Sequence, residues 1–172
     1  WELYAFWTLT PALVILAGLA TPGSRELSGL AFAVVGIGAV GCLLGGWWSH
    51  RVGSARVAAT ALATSAFCCA LFPLLGDWPA WVKLSLLLLW GASVVADSPH
   101  FSALSARACA PEIVGSALAF QNSIGFAITM LSIQLGTAWI GHWGTQIAWL
   151  LLPGPLFGLL ALYPLWRKAP PR

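Results

Sequence analysis

Long, unbroken apolar runs alternate along the chain with short polar connections. The runs cover roughly residues 3–20, 29–48, 57–75, 81–104, 115–139 and 146–166. Between them lie Thr21-Pro22-Gly23-Ser24-Arg25-Glu26, Ser49-His50-Arg51-Val52-Gly53-Ser54, Gly76-Asp77-Trp78-Pro79, Ala106-Arg107-Ala108-Cys109-Ala110-Pro111-Glu112 and Gly141-His142-Trp143-Gly144-Thr145. Each run is close to the ~20 residues that a helix needs to cross the hydrocarbon. Barrel strands would instead alternate in polarity over about 10 residues. The pattern predicts an all-α integral membrane protein with six transmembrane helices.

Small and polar residues inside the runs fall on particular helices. The second run carries Gly36, Gly38, Gly41, Gly45 and Gly46. Lipid supplies little hydrophobic force between helices, so residues that admit close backbone contact drive their association. The glycines predict tight packing against a neighbour, with substrate lining as the alternative. The fifth run places Asn122, Gly125, Thr129, Ser132 and Gly136 on one stripe, flanked by Gln121 and Gln134. Such a seam must face other helices or water, and interhelical bonding and cavity lining are both open. Pro11, Pro73, Pro99, Pro153, Pro155 and Pro164 fall in or near the helices and suggest that they bend.

Composition agrees with this pattern. Hydrophobic residues make up 59% of the 172-residue chain and charged residues 8%, with mean hydropathy +0.86. That leaves too little charge to cover a soluble domain. The net charge of +3 reports topology. Arg51, Arg56, Arg107, Arg167, Lys168 and Arg172 fall on one side of the predicted membrane, and Arg25 and Lys83 on the other. This bias puts both ends of the chain in the cytoplasm. No basic run suggests a nucleic-acid partner. Cys42, Cys68, Cys69 and Cys109 show no C-x-x-C spacing and read as small packing residues, so neither a disulfide nor a metal site is expected. Trp47, Trp48, Trp78, Trp81, Trp143 and Trp166 lie near helix ends, where tryptophan anchors at the interface. The opening at Trp1 lacks an initiator Met and a basic flank, and reads as a cut in a longer polypeptide.

The fourth run contains the most unusual chemistry. Placed between Lys83 and about Ser105, it puts Asp97 just past its midpoint, as the one clearly intramembrane acid. A charge there costs at least ~2.5 kcal/mol on insertion scales, so it must face protein or water. Trp90, Ser93, Asp97 and His100 share a face, giving a stripe suited to a cavity wall. Asp97 can bind substrate or a coupling proton with His100 as tuner or relay. It can also be a structural partner near the Pro99 break, or lie in an interfacial segment if the helix ends early. With Asn122 and Thr129, these residues form the candidate substrate or proton path.

Two connections carry a family resemblance. Gly46-Trp47-Trp48-Ser49-His50-Arg51-Val52-Gly53-Ser54-Ala55-Arg56 resembles the major facilitator superfamily motif G-x-x-x-D-R-x-G-R-R, found between the second and third helices of each half. Gly46, Arg51, Gly53 and Arg56 match, while His50 replaces the usual Asp and Ser54 an often basic residue. The stretch Ala106 to Leu118 resembles the family's connection between the fourth and fifth helices, where a basic residue and a run containing Pro, Glu, Gly and Ala-Leu open the next helix. Pro111 suits a first helical position, and Glu112 suits the positive helix end.

The resemblance implies one six-helix half, the carboxy-terminal one, of a twelve-helix bundle, with two inverted three-helix units in the half. It implies secondary active transport of a small solute by alternating access, coupled to a gradient, in the plasma or inner membrane. Gly46, His50, Arg51, Gly53 and Arg56 would then form the cytoplasmic gate, although Arg51 and Arg56 also read simply as positive-inside anchors. The partners would be a small-molecule substrate, the lipid bilayer and the other half, supplied by the same polypeptide or a second copy. No cofactor is expected, and no nucleotide-binding Gly-x-x-x-x-Gly-Lys-[Ser/Thr] run is present. An enzyme is not expected either, because no Gly-x-Ser-x-Gly run or cluster of carboxylates stands out. The alternative is a half-size or non-transporting membrane subunit that dimerises or docks to a complex.

Overall fold

The computed structural model describes residues 1–168, with side chains through Leu165. The side chains of Trp166, Arg167 and Lys168, and Arg172 altogether, lie outside the described residues. The described residues are all-helical, in the order α1 (Leu3–Leu16), α2 (Arg25–Val52), α3 (Ser54–Leu71), α4 (Ala80–Ala96), α5 (Ser98–Ala108), α6 (Val114–Trp143), α7 (Ala148–Leu151) and α8 (Pro153–Lys168). Four helical stretches, 25–52, 54–74, 80–108 and 111–165, are long and apolar enough to cross a membrane, consistent with a membrane protein; α1 is shorter.

Several boundaries differ from those expected, each for a local reason. The first run stops at Leu16 because Gly18 adopts φ +71°, and the amide of Leu19 closes back on the Val14 carbonyl at 3.1 Å. The fourth run divides at Asp97, where Pro99 opens α5. Pro111 lies in a short 3₁₀ turn ahead of α6. His142, expected in a loop, occupies the last turn of α6, and Arg107 the last turn of α5. The sixth run is interrupted between α7 and α8, with Pro153 beginning α8.

The α2–α4 contact is the tightest in the bundle. A Cβ on Gly41 would lie 2.1 Å from the Ala92 carbonyl oxygen, and one on Gly91 2.0 Å from that of Val34. One on Gly38 would meet Val95 Cγ2 at 2.5 Å. These positions are glycine because the two backbones nearly touch. Gly36 and Gly46 meet nothing within 4 Å, so only part of the glycine run serves the packing.

Pro99 removes the usual i+4 donor of the Val95 carbonyl, and the Asp97 amide is turned toward that oxygen instead. The Cys42 thiol of α2 points at that oxygen, 3.6 Å away. Cys42 therefore does more than fill space: it is placed to compensate the helix break.

The main core joins α1, α3, α4 and α7 around Trp90, which is fully buried between Phe6 and Phe72 at ring separations of 4.7 and 6.1 Å. The buried face of α1 repeats as Ala5, Phe6, Leu9, Thr10, Leu13 and Val14, the helical spacing of one stripe. A second cluster, Ala58, Leu62 and Leu162, ties α3 to α8. By contrast, α6 is exposed over most of its surface and touches α1 and α5.

The connections segregate to opposite ends. The α2–α3 turn and the end of α5 border one cavity through Arg51, Gly53 and Arg107. The end of α1, Gly76 of the α3–α4 connection, Lys83 in the first turn of α4, and Thr145 after α6 border another.

Candidate functional site

Glu2 is the acid that the sequence reading missed. It immediately precedes α1 and is only 7% exposed, held within the main core. Its Oε1 accepts the Trp90 indole N–H at 2.8 Å, the Ser65 hydroxyl and the Cys69 thiol at 3.4 Å. Donors from α3 and α4 thus converge on one oxygen, as a buried carboxylate requires. Asp97 is consequently not the one acid enclosed by the helices. A Glu beside an apolar run reads as a helix flank; here its hydrogen bonds to α3 and α4 hold it inward. Two flanking contacts hold it there. The Trp1 indole donates to the Leu150 carbonyl at 2.9 Å, and the Ser132 hydroxyl donates to the Trp1 carbonyl at 2.6 Å.

Glu2 and Asp97 border the same cavity, of about 240 Å³. Its walls also include Trp1, Leu62, Ser98, Phe101 and the α8 residues Gly154, Pro155 and Gly158. Asp97 sits at the α4–α5 joint, where its carbonyl accepts the amides of His100 and Phe101 at 3.0 and 3.1 Å. Its carboxylate accepts the Ser98 hydroxyl at 3.3 Å. The lining contains two carboxylates and no basic side chain.

The expected Trp90–Ser93–Asp97–His100 stripe is divided between neighbours. Trp90 points to Glu2, and Asp97 to the cavity. Ser93 donates to the Trp90 carbonyl at 3.0 Å and borders the α2–α3 side with Gly41, Gly45 and Val57. His100 is buried against α2, with its Nε2 3.2 Å from where a Cβ on Gly45 would stand. The reason is that α4 and α5 are packed on more than one side, so a single helical face meets different partners.

The α6 stripe is divided as well. Thr129, Ser132 and Gly136 are buried, whereas Asn122 and Gly125 are exposed. Gly136 faces Leu9, and the Ser132 hydroxyl reaches Trp1, so α1 covers this part of the stripe. Thr129 and Asn122 do not line the carboxylate cavity. Gln121 instead accepts the Ser105 hydroxyl at 2.5 Å, joining α6 to α5.

The gate-motif residues gather at one end of the bundle. Gly53, at φ +88° and ψ 150°, makes the single-residue link between α2 and α3. Such a conformation is essentially restricted to glycine. Arg51 stacks over the Trp47 ring at 4.6 Å, and His50, Arg51 and Arg107 border a cavity of about 430 Å³. Arg56 lies in the first turn of α3, and Gly46 lies in α2 one helical turn before His50.

No family model matches the chain, and neither a curated protein nor a solved structure matches it.

Proposed function

We propose that this chain is one six-helix half of a major-facilitator-type secondary transporter that moves a small solute by alternating access. The observation that carries this reading is the cavity bordered by Glu2 and Asp97 inside an otherwise apolar bundle. Carboxylates at membrane depth are costly and mark ion or substrate paths. In this reading the cavity is half of a midplane site completed by the other half, in the same polypeptide or a second copy. Gly46, His50, Arg51, Gly53 and Arg56 form the cytoplasmic gate, and both ends of the chain are cytoplasmic. The bends at Pro99 and Pro153 give the halves segments that move.

Two-sided accessibility tests the proposal. In a full chain with Ser at Cys42 and Cys69 and Ala at Cys68 and Cys109, Ser98→Cys places one thiol on the cavity wall. A membrane-impermeant maleimide is applied to right-side-out and inside-out vesicles. Alternating access predicts labelling from both faces. Labelling from one face only, or from neither, refutes it and favours a non-transporting subunit.

A further inference from the structure

We infer that the cavity between α1, α3, α5 and α8 is a binding site for a small organic cation, held by Glu2 and Asp97. This names the substrate class within the transport reading above and rests on it only for the word substrate; the binding itself stands on the cavity.

Charge is the first argument. Two carboxylates border one space, and no Arg, Lys or His side chain borders it. An ionised carboxylate in so enclosed a space is favoured by a cation beside it.

The state of Glu2 is the second argument. Ser65, Cys69 and Trp90 all direct their hydrogens to Oε1. This fixes the carboxylate's orientation through one oxygen, and none of these three donors is bonded to Oε2. A side chain more than nine-tenths buried is thus anchored by one oxygen on the wall of the cavity.

The remaining wall is apolar and aromatic. Trp1 and Phe101 offer ring surfaces, and Leu62, Val94 and Pro155 offer aliphatic ones. Aromatic faces with carboxylates are the surroundings in which organic ammonium groups are bound. A bare metal ion would instead seek several oxygen ligands, whereas most of this wall is carbon. The occupant this wall suits is an amine with an apolar body.

The test is equilibrium binding to the purified full chain in lipid nanodiscs, read by tryptophan fluorescence and calorimetry. The probes are ammonium, methylammonium, benzylamine and tetraethylammonium, with benzyl alcohol as the neutral counterpart of benzylamine. At least one organic cation is expected to bind ten or more times more tightly than benzyl alcohol, and ammonium no better than the alcohol. E2Q and D97N are each expected to weaken that binding at least tenfold. Gln at position 2 keeps an acceptor for Ser65 and Trp90, so E2Q retains the fold. Thermal unfolding of both variants in the absence of ligand checks this, and Asp97→Glu is expected to recover part of the affinity. The inference is overturned if no organic cation outbinds benzyl alcohol, or if both neutralised variants, folded, bind as the parent does. Cation binding together with labelling of Ser98→Cys from one face would refute transport alone. Two-sided labelling without cation binding would refute this inference alone.

Discussion

Adding one methyl group at Gly41 and the same group at Gly36 should have opposite effects on stability. Both residues lie within α2, so the change in helix propensity is common to them; relative to Gly, Ala favours a helix by about 1 kcal/mol. At Gly36 the new Cβ meets nothing within 4 Å. Gly36→Ala should therefore be neutral or stabilising by up to about 1 kcal/mol. At Gly41 the Cβ would sit 2.1 Å from the Ala92 oxygen and 2.9 Å from its carbonyl carbon, where ordinary contact begins near 3.4 Å. These are backbone atoms of α4, so no side-chain rotation relieves the clash. The helices must separate by about 1 Å or more, loosening the packing at Gly38 and Gly91 as well. Overpacking of this kind costs typically about 1–3 kcal/mol, and the shared interface places Gly41→Ala toward the upper end, near ~3 kcal/mol. Because the propensity change is common to both, the two variants should differ by this overpacking cost, roughly 3 kcal/mol. Reversible unfolding in mixed micelles, followed by circular dichroism, measures the difference. If Gly41→Ala unfolds within about 0.5 kcal/mol of Gly36→Ala, the proposed backbone contact between α2 and α4 is wrong.

Cys42→Ala should cost up to about 1 kcal/mol by removing the thiol donor from the Val95 carbonyl, whereas Cys42→Ser, which keeps a donor, should cost less; equal losses in the same unfolding assay would show that the thiol contributes packing alone. Gly53→Ala should cost about 1–3 kcal/mol because a side chain is forced into the φ +88° link between α2 and α3. Trypsin cleavage at Arg51 and Arg56 should accelerate in that variant, and unchanged stability and cleavage would refute the strain.

The candidate site was only partly legible in the chain. Asp97 announced itself because an acid and a proline interrupt an apolar run, and it does border the cavity. Glu2 gave no such signal, since a carboxylate before an apolar segment is ordinary at a helix start. Its depth follows from contacts with Ser65 and Cys69 on α3 and Trp90 on α4, far away in sequence. His100 and Ser93 shared a helical face with Asp97, yet the crowding of α2 turned that face to two different neighbours.

The sequence by itself determined that the chain is helical and apolar enough for a membrane, because run length and continuous hydropathy depend on nothing beyond neighbouring residues. It also marked the glycine helix as a packing surface, since small residues are informative wherever helices pair in lipid. The tertiary structure decided which glycines touch, which part of the α6 stripe is covered and which carboxylates share a cavity. Those outcomes depend on the relative height and rotation of whole helices. A 3.6-residue period fixes the face that a side chain shares within its own helix, while the packing of the bundle fixes what stands opposite.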